Sequence, residues 1–183
     1  DQLAHPEKAA KAYAFSGLQL RMSELQGACL LAQFSKLDTI LDTCRKHHAA
    51  LRAHTAKNRH FTVRYEDGDC GVAFIMLMQT AADAKRFSEA MCAEGIACGP
   101  TSACCNLLRQ EPICNKGMVN AALPPFGAGF AGENVKYDAD ADCLNTDAVL
   151  ERFVAIGIGP LFTDADVADI ARAIDKVSAA LFA

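Results

Sequence analysis

Cys98, Cys104, Cys105 and Cys114 form the only cysteine cluster in the sequence, side chains that could bind a metal or do redox chemistry. Zinc sites take their ligands in pairs two to four residues apart, whereas the gaps here are six, one and nine. That spacing argues against a metal centre. His47 and His48 are neighbours on what reads as a helix, where adjacent side chains point about 100° apart. They cannot chelate one ion together, and packing and solvent contact are their expected roles. Asp138, Asp140 and Asp142 repeat like half of a calcium loop but lack its glycine at the sixth position and its glutamate at the twelfth. A hydrated acidic turn is expected instead. The glycines of Phe126-Gly-Ala-Gly-Phe-Ala-Gly132 have neither a strand before them nor a periodic helix after them. They read as a flexible loop and not as a dinucleotide cradle.

The elements that position these residues follow from periodicity. Ser23-Glu-Leu-Gln26 is a capping box: the Ser oxygen accepts from the backbone N–H three residues on, and Gln26 reaches back. From there to Ala56 only Gly27 weakens a helix. Leu30, Phe34, Leu37, Leu41, Cys44, His48 and Leu51 recur every three or four residues, the narrow seam of a helix packed lengthwise on a partner. About 33 residues at 1.5 Å each predict a rod of roughly 50 Å, suited to linking two lobes. Phe61-Thr-Val-Arg-Tyr65 and Val72–Met78 then read as the strands of a hairpin with Asp67-Gly68 at its tip.

Thr80 caps a helix through Glu94, with Ala84, Phe87 and Met91 on one face and Gly95 as its stop. Ile96–Cys98 is a short predicted strand. Residues 99–146, rich in Gly, Pro, Asn and Asp, are the least regular part, and a loop this long is usually functional or mobile. Phe153–Ile158 returns as a strand. Thr163 caps a last helix whose stripe is Val167, Ile170, Ala171, Ile174, Val177 and Leu181. The expected organisation is a leading segment over 1–22 with a short helix near Pro6–Tyr13, a long linking helix over 23–57, and an α+β domain over 58–183. The fold class is α/β of the α+β kind, a small, mostly antiparallel sheet with helices on one face.

Composition narrows the function classes. Of 183 residues, 51% are hydrophobic and 22% charged, which is globular and not disordered. A net charge of −4 gives no basic field for nucleic acid or an anionic membrane. No apolar run approaches the roughly 18–20 residues of a membrane helix, and Asp1–Pro6 does not read as a secretion signal. The nine cysteines are therefore expected as reduced thiols in a cytoplasmic protein. Cys29, Cys44 and Cys92 sit in apolar periodic segments, where Cys serves as a small buried hydrophobe.

Gly17-Leu-Gln-Leu-Arg21-Met-Ser-Glu-Leu-Gln26 and its continuation Ala28–Asp38 carry a resemblance. The stretch is similar to the glycine-x-asparagine-x-arginine-methionine-serine-glutamate-leucine-glutamine signature of the DegT/DnrJ/EryC1/StrS sugar aminotransferases. Cys143–Asp166 resembles that family's closing block: a cysteine, a short helix, an arginine, a strand ending in proline, and an acidic helix cap. The likeness is strongest over 17–52 and 143–182. It implies the C-terminal small domain of a fold-type I enzyme that uses pyridoxal 5'-phosphate (PLP). Such enzymes are usually homodimers and move an amino group from glutamate or glutamine to a keto group, commonly on a nucleotide-linked sugar.

The resemblance also implies particular residues. Gln19 stands where the family asparagine reaches across the dimer to the neighbour's cofactor phosphate; it keeps the amide donor and adds a methylene. Arg21 matches the family arginine, which either lies near that phosphate or pairs with a carboxylate at the lobe junction, the second role being favoured. None of Lys8, Lys11, Lys36, Lys46, Lys57, Lys85, Lys116, Lys136 and Lys176 falls in a motif like the family's Schiff-base lysine segment. No catalytic residue is nominated, and the chain alone is expected not to transaminate. The alternative from another class is a non-catalytic interaction or regulatory module derived from that lobe. The two differ at the rod: Leu30, Phe34, Leu37 and Leu41 stay bare unless an N-terminal PLP lobe or a second copy covers them.

Overall fold

A computed structural model describes residues 22–100, 106–109, 114–118, 120, 122, 124–138 and 140–182. Gln19, Arg21 and the short helix expected near Pro6–Tyr13 lie outside the described residues. The described parts of 22–101 and 149–183 form one compact unit, and those of 102–148 form another.

The first unit is built on a four-stranded antiparallel sheet of order β1-β2-β4-β3. Its strands are β1 (Phe61–Arg64), β2 (Ala73–Met78), β3 (Cys98–Pro100) and β4 (Phe153–Gly157). Phe61 lies opposite Met78, Phe74 opposite Ile156, and Cys98 opposite Ile156 from the other side. The last strand in sequence thus enters between the second and third. Because side chains alternate along a strand, Phe74, Met76, Met78, Val154 and Ile156 share one face, and all are buried.

Helices α2 (Leu37–Thr55), α3 (Ala81–Ala93) and α5 (Asp164–Phe182) cover that face. α5 packs on α2 and α3, which in turn meet the sheet. Leu51, Phe87, Met91 and Ile174 join the strand residues in one core. The small antiparallel sheet with helices on one face is the architecture expected from periodicity. The predicted caps form as well. Asp83 donates its backbone N–H to Thr80 Oγ1 at 3.1 Å, and Gly95 takes a φ of +86° just past α3, a conformation glycine reaches without Cβ strain.

Three expectations are corrected. First, the single rod is two helices, α1 (Glu24–Phe34) and α2, separated at Ser35–Lys36. No glycine or proline causes the break. Ser35 Oγ donates to the Ala32 carbonyl at 2.9 Å, and Lys36 N–H donates to Gln33, three residues back, at 3.0 Å. A Ser side chain that competes for a helical carbonyl bends the helix there. Second, β3 occupies 98–100 and not 96–98, because the turn closing α3 extends through Ile96, whose N–H donates to Met91 O at 3.0 Å. Third, Cys29 and Cys92 are exposed and only Cys44 is buried. α1 buries no residue at all, and Cys92 lies on the outer side of α3.

The second unit is irregular, as its composition foretells. It contains a 3-10 turn at Leu107–Arg109 and a cis bond between Pro124 and Pro125. Helix α4 (Leu144–Leu150) begins within it. Buried Asn106 donates through Nδ2 to Asp147 Oδ1 at 2.7 Å and accepts from Leu108 N–H at 3.1 Å, tying the turn to α4. Phe126 meets Tyr137 edge-on at 6.1 Å, and Lys116 Nζ donates to the Gly132 and Glu133 carbonyls at 3.2 and 2.6 Å. The glycine loop at 126–132 is thus a turn held by its own neighbours. Asp138, Asp140 and Asp142 satisfy one another's backbone: Asp138 N–H donates to Asp142 Oδ2, and Asp140 N–H to Asp138 Oδ1, both at 2.9 Å. Among the described residues no group of His, Cys, Asp and Glu could hold a metal.

Candidate functional site

The family-like motif ends in α1, and its described part is well formed. Ser23 Oγ accepts from Gln26 N–H at 3.3 Å, and Gln26 Oε1 accepts from Ser23 N–H at 2.9 Å. The predicted capping box is therefore closed. The N–H groups of Ser23 and Gln26 are thus taken up by the box itself. Beyond the cap the helix presents Leu25, Leu30, Leu31 and Phe34 to solvent, with Leu25, Leu31 and Phe34 at 75%, 74% and 70% exposure. The seam changes character at the break. Leu30 and Phe34 are bare, whereas Cys44, His48 and Leu51 are buried under α5 and the sheet.

A second feature was not foreseen. Arg45, His48, Ala49 and Arg52 lie three and four residues apart, so they share one face of α2. The turn from Tyr65 to Gly71 folds over that face and encloses a cleft of about 450 Å³. Arg45 Nε donates to the Asp69 carbonyl at 3.0 Å. Arg52 lies over the Tyr65 ring, Cζ 3.5 Å from its centre. His48 stacks on Tyr65 at 5.6 Å and tilts against Phe74 at 5.4 Å. It is 2% exposed, and its Nε2 has no hydrogen-bond partner. Burial holds the imidazole below its ordinary pKa of 6.5; Asp69 opposes that shift and Arg52 adds to it. Neutral His48 is thus the form the fold selects. The sequence signal was the Arg-x-x-His-x-x-x-Arg spacing, but the half of the cleft supplied by the turn depends on tertiary structure.

His47 is buried on the adjoining face, with Nε2 3.5 Å from Asp164 Oδ1 and no partner at Nδ1. Lys46 Nζ clasps Asp164 at 2.7 and 3.0 Å, and its hydrogen bond and charge hold that carboxyl below its ordinary pKa of 3.8. Asp166 is held down chiefly by the Thr163 hydroxyl and N–H that cap α5. These contacts pin the first turn of α5 to α2 and are structural. Cys98 is pushed up to about 12 by burial and by neighbouring Cys92, so it is a thiol and not a nucleophilic thiolate.

No described lysine has the setting of a Schiff-base lysine. Lys46 and Lys176 pair with Asp164 and Glu94, and Lys116 is spent on two carbonyls. Lys36, Lys57, Lys85 and Lys136 project into solvent. Each described lysine is thus either paired or solvent-exposed.

Two consecutive helices, a small antiparallel sheet backed by helices and a bare apolar helix face define the class: an α+β lobe. Residues 3–118 match the model of the DegT/DnrJ/EryC1/StrS aminotransferase family. The chain belongs to that family. Among solved structures it is similar to Helicobacter pylori PseC, an aminotransferase involved in the biosynthesis of pseudoaminic acid. The identity is 15% and the TM-score 0.63, over 90% of this chain and 40% of that one. It is also similar to Escherichia coli GDP-4-keto-6-deoxy-D-mannose-3-dehydratase with bound hydrated PLP, at 16% identity and TM-score 0.59, over 95% of this chain and 40% of that one. A third is the sugar aminotransferase CalS13 from Micromonospora echinospora, at 17% identity and TM-score 0.58, covering 87% and 37% respectively. The chain spans about 40% of the length of these proteins.

Proposed function

We propose that this chain is the C-terminal lobe of a PLP-dependent aminotransferase acting on a keto group, probed first with nucleotide-linked sugars and with glutamate or glutamine as amino donor. Residues 1–22 lead into the linking helices over 23–57, and 58–183 form the small domain. The observation that carries the reading is the apolar surface of α1, directly after the family motif and bare of any covering group among the described residues. An apolar stripe of this kind marks an interaction surface. The occupant we assign is a PLP-binding body bearing the Schiff-base lysine, in a homodimeric cytoplasmic enzyme. Within it Gln19 approaches the cofactor phosphate as an amide donor, while Arg21 pairs with a carboxylate at the lobe junction or lies beside that phosphate. PLP supplies the conjugated ring that absorbs the charge left when a proton leaves the amino-acid carbon.

The test is reconstitution. The chain is co-expressed with a PLP-binding body of the same family from the same source, and amino transfer to a nucleotide keto-sugar is followed. Transfer by the assembled protein and none by the chain alone is the expected result. Gln19→Ala is expected to weaken PLP retention in the assembly. Failure of the two bodies to associate, or transfer by the chain alone, overturns the reading.

A further inference from the structure

The cleft between α2 and the Tyr65–Gly71 turn has no role in the reading above. Its polar groups are arranged in a way that needs a ligand to complete it. We propose that this cleft is a binding site for the oxyanion group of a small molecule, a phosphate or a carboxylate, held between the guanidinium groups of Arg45 and Arg52.

Four observations carry the assignment. Arg45 commits its Nε to a backbone carbonyl, and its terminal nitrogens form no ion pair among the described residues. Arg52 has no carboxylate within ion-pair distance among the described residues; its one contact is the Tyr65 face. Two planar guanidinium forks on one helix face match the geometry of a carboxylate or phosphate. Among the described residues the one acid lining the cleft, Asp69, pairs with Arg64 Nη1 at 3.3 Å and makes no ion pair with Arg45 or Arg52. At the floor lies His48, almost wholly buried, with a ring nitrogen that no protein group satisfies. A buried polar atom without a partner is uncommon and calls for an explanation, which a bound acceptor or its water supplies.

The walls favour a small ligand and not a macromolecule. The volume, about 450 Å³, is that of a small-molecule site. Ala49 keeps the middle of the helix face low, and the turn lies close because Gly71 has no side chain. The exposed edge of Tyr65 offers a flat apolar surface beside the charges, suited to the body of the molecule that bears the anion.

The experiment is an NMR titration of the full chain at constant ionic strength. The signals followed are the Gly68 and Gly71 amides and the Nε–H groups of Arg45 and Arg52. Inorganic phosphate and pyrophosphate form one arm, succinate and citrate the other, with sodium chloride as reference. Saturable shifts in the phosphate arm assign the group as phosphoryl, and saturable shifts in the carboxylate arm alone assign it as carboxylate. Arg52→Gln and Arg45→Gln are each expected to weaken that binding about tenfold or more, the loss of a charge-assisted hydrogen bond. Arg52→Lys keeps the charge, loses the fork and is expected to weaken it nearly as much. Lys85→Gln removes an equal charge from the outside of α3 and is expected to leave it unchanged. Shifts that stay linear and equal to those with chloride overturn the proposal. So does a Lys85→Gln effect as large as that of Arg52→Gln, which would reduce the effect to net charge.

Discussion

Gly71 and Arg45 touch through their backbones. A Cβ on Gly71 would stand 2.9 Å from both the Cα and the N of Arg45, closer than real Cβ contacts come. Gly71 also has φ +73°, a left-handed conformation that costs an L side chain about 1–2 kcal/mol. The close approach lets the turn after β1 lie on α2 and close the cleft.

Gly71→Ala is therefore expected to destabilise the fold by about 2–4 kcal/mol, the sum of the conformational cost and an overpacking cost. Gly68 is the internal control: its φ is +90°, but nothing lies within 4 Å of its Cβ position. Gly68→Ala should cost only the conformational part. Urea denaturation of both variants checks this, and equal midpoints would show that the contact with Arg45 carries no energy.

The pH dependence of stability has a sign set by His48. Its folded pKa is depressed by burial below the ordinary 6.5, so the folded state excludes a proton that the unfolded chain takes up. Stability is then full above pH 6.5 and declines as the pH falls from there towards the folded pKa. Asp69 and Arg52, the charged groups that act on the ring, oppose one another and leave burial dominant. His48→Gln is expected to flatten the stability profile just below pH 6.5. Asp164 and Asp166, with pKa values lowered below 3.8, contribute stability that is lost only at lower pH, so the two windows separate. An unchanged slope in His48→Gln just below pH 6.5 would remove His48 from the account.

Much of this fold is legible in the sequence, and the failures have physical causes. The hairpin, α3 and α5 were readable because each has one apolar face at a single period, with Thr80, Gly95 and Thr163 as punctuation. The break at Ser35–Lys36 was not, since the apolar spacing runs straight through it from Phe34 to Leu37 to Leu41. Only the Ser35 hydroxyl marks the place, and Ser is common enough in helices to carry little signal. The cleft was hidden for a different reason: periodicity marks only the apolar seam of α2 and carries no information about what folds over Arg45 and Arg52. Gln19 and Arg21 belong to a motif whose described part begins only at Met22.

Caps on two helices should respond differently to the same change. Thr80 caps α3, which buries Ala84, Phe87, Ser88 and Met91, so its loss is felt by the core. Thr80→Ala is expected to lower global stability by about 1 kcal/mol. Ser23 caps α1, which buries nothing, so Ser23→Ala should leave the urea midpoint alone. It should instead speed amide hydrogen exchange over residues 24–34, because that helix opens locally. A fall in global stability for Ser23→Ala would mean that α1 is already packed against a body in solution.

The apolar face of α1 gives the last prediction. Leu30, Leu31 and Phe34 lie within about 100° of one another around α1 and are all exposed, while the helix carries one acidic residue in its first turn and no basic residue in its last. Nothing on that face opposes contact with a second apolar surface. Left uncovered, the chain is expected to self-associate through it, since each large side chain withdrawn from water contributes about 1.5–3 kcal/mol. Leu30→Glu with Phe34→Glu places two charges on the stripe and is expected to shift light scattering from oligomer to monomer. Helical content and the urea midpoint should change little, because neither side chain touches the core. The same pair of substitutions should abolish association with a PLP-binding body. A wild-type chain that is monomeric at high concentration, or a double variant that still oligomerises, would place the contact surface elsewhere.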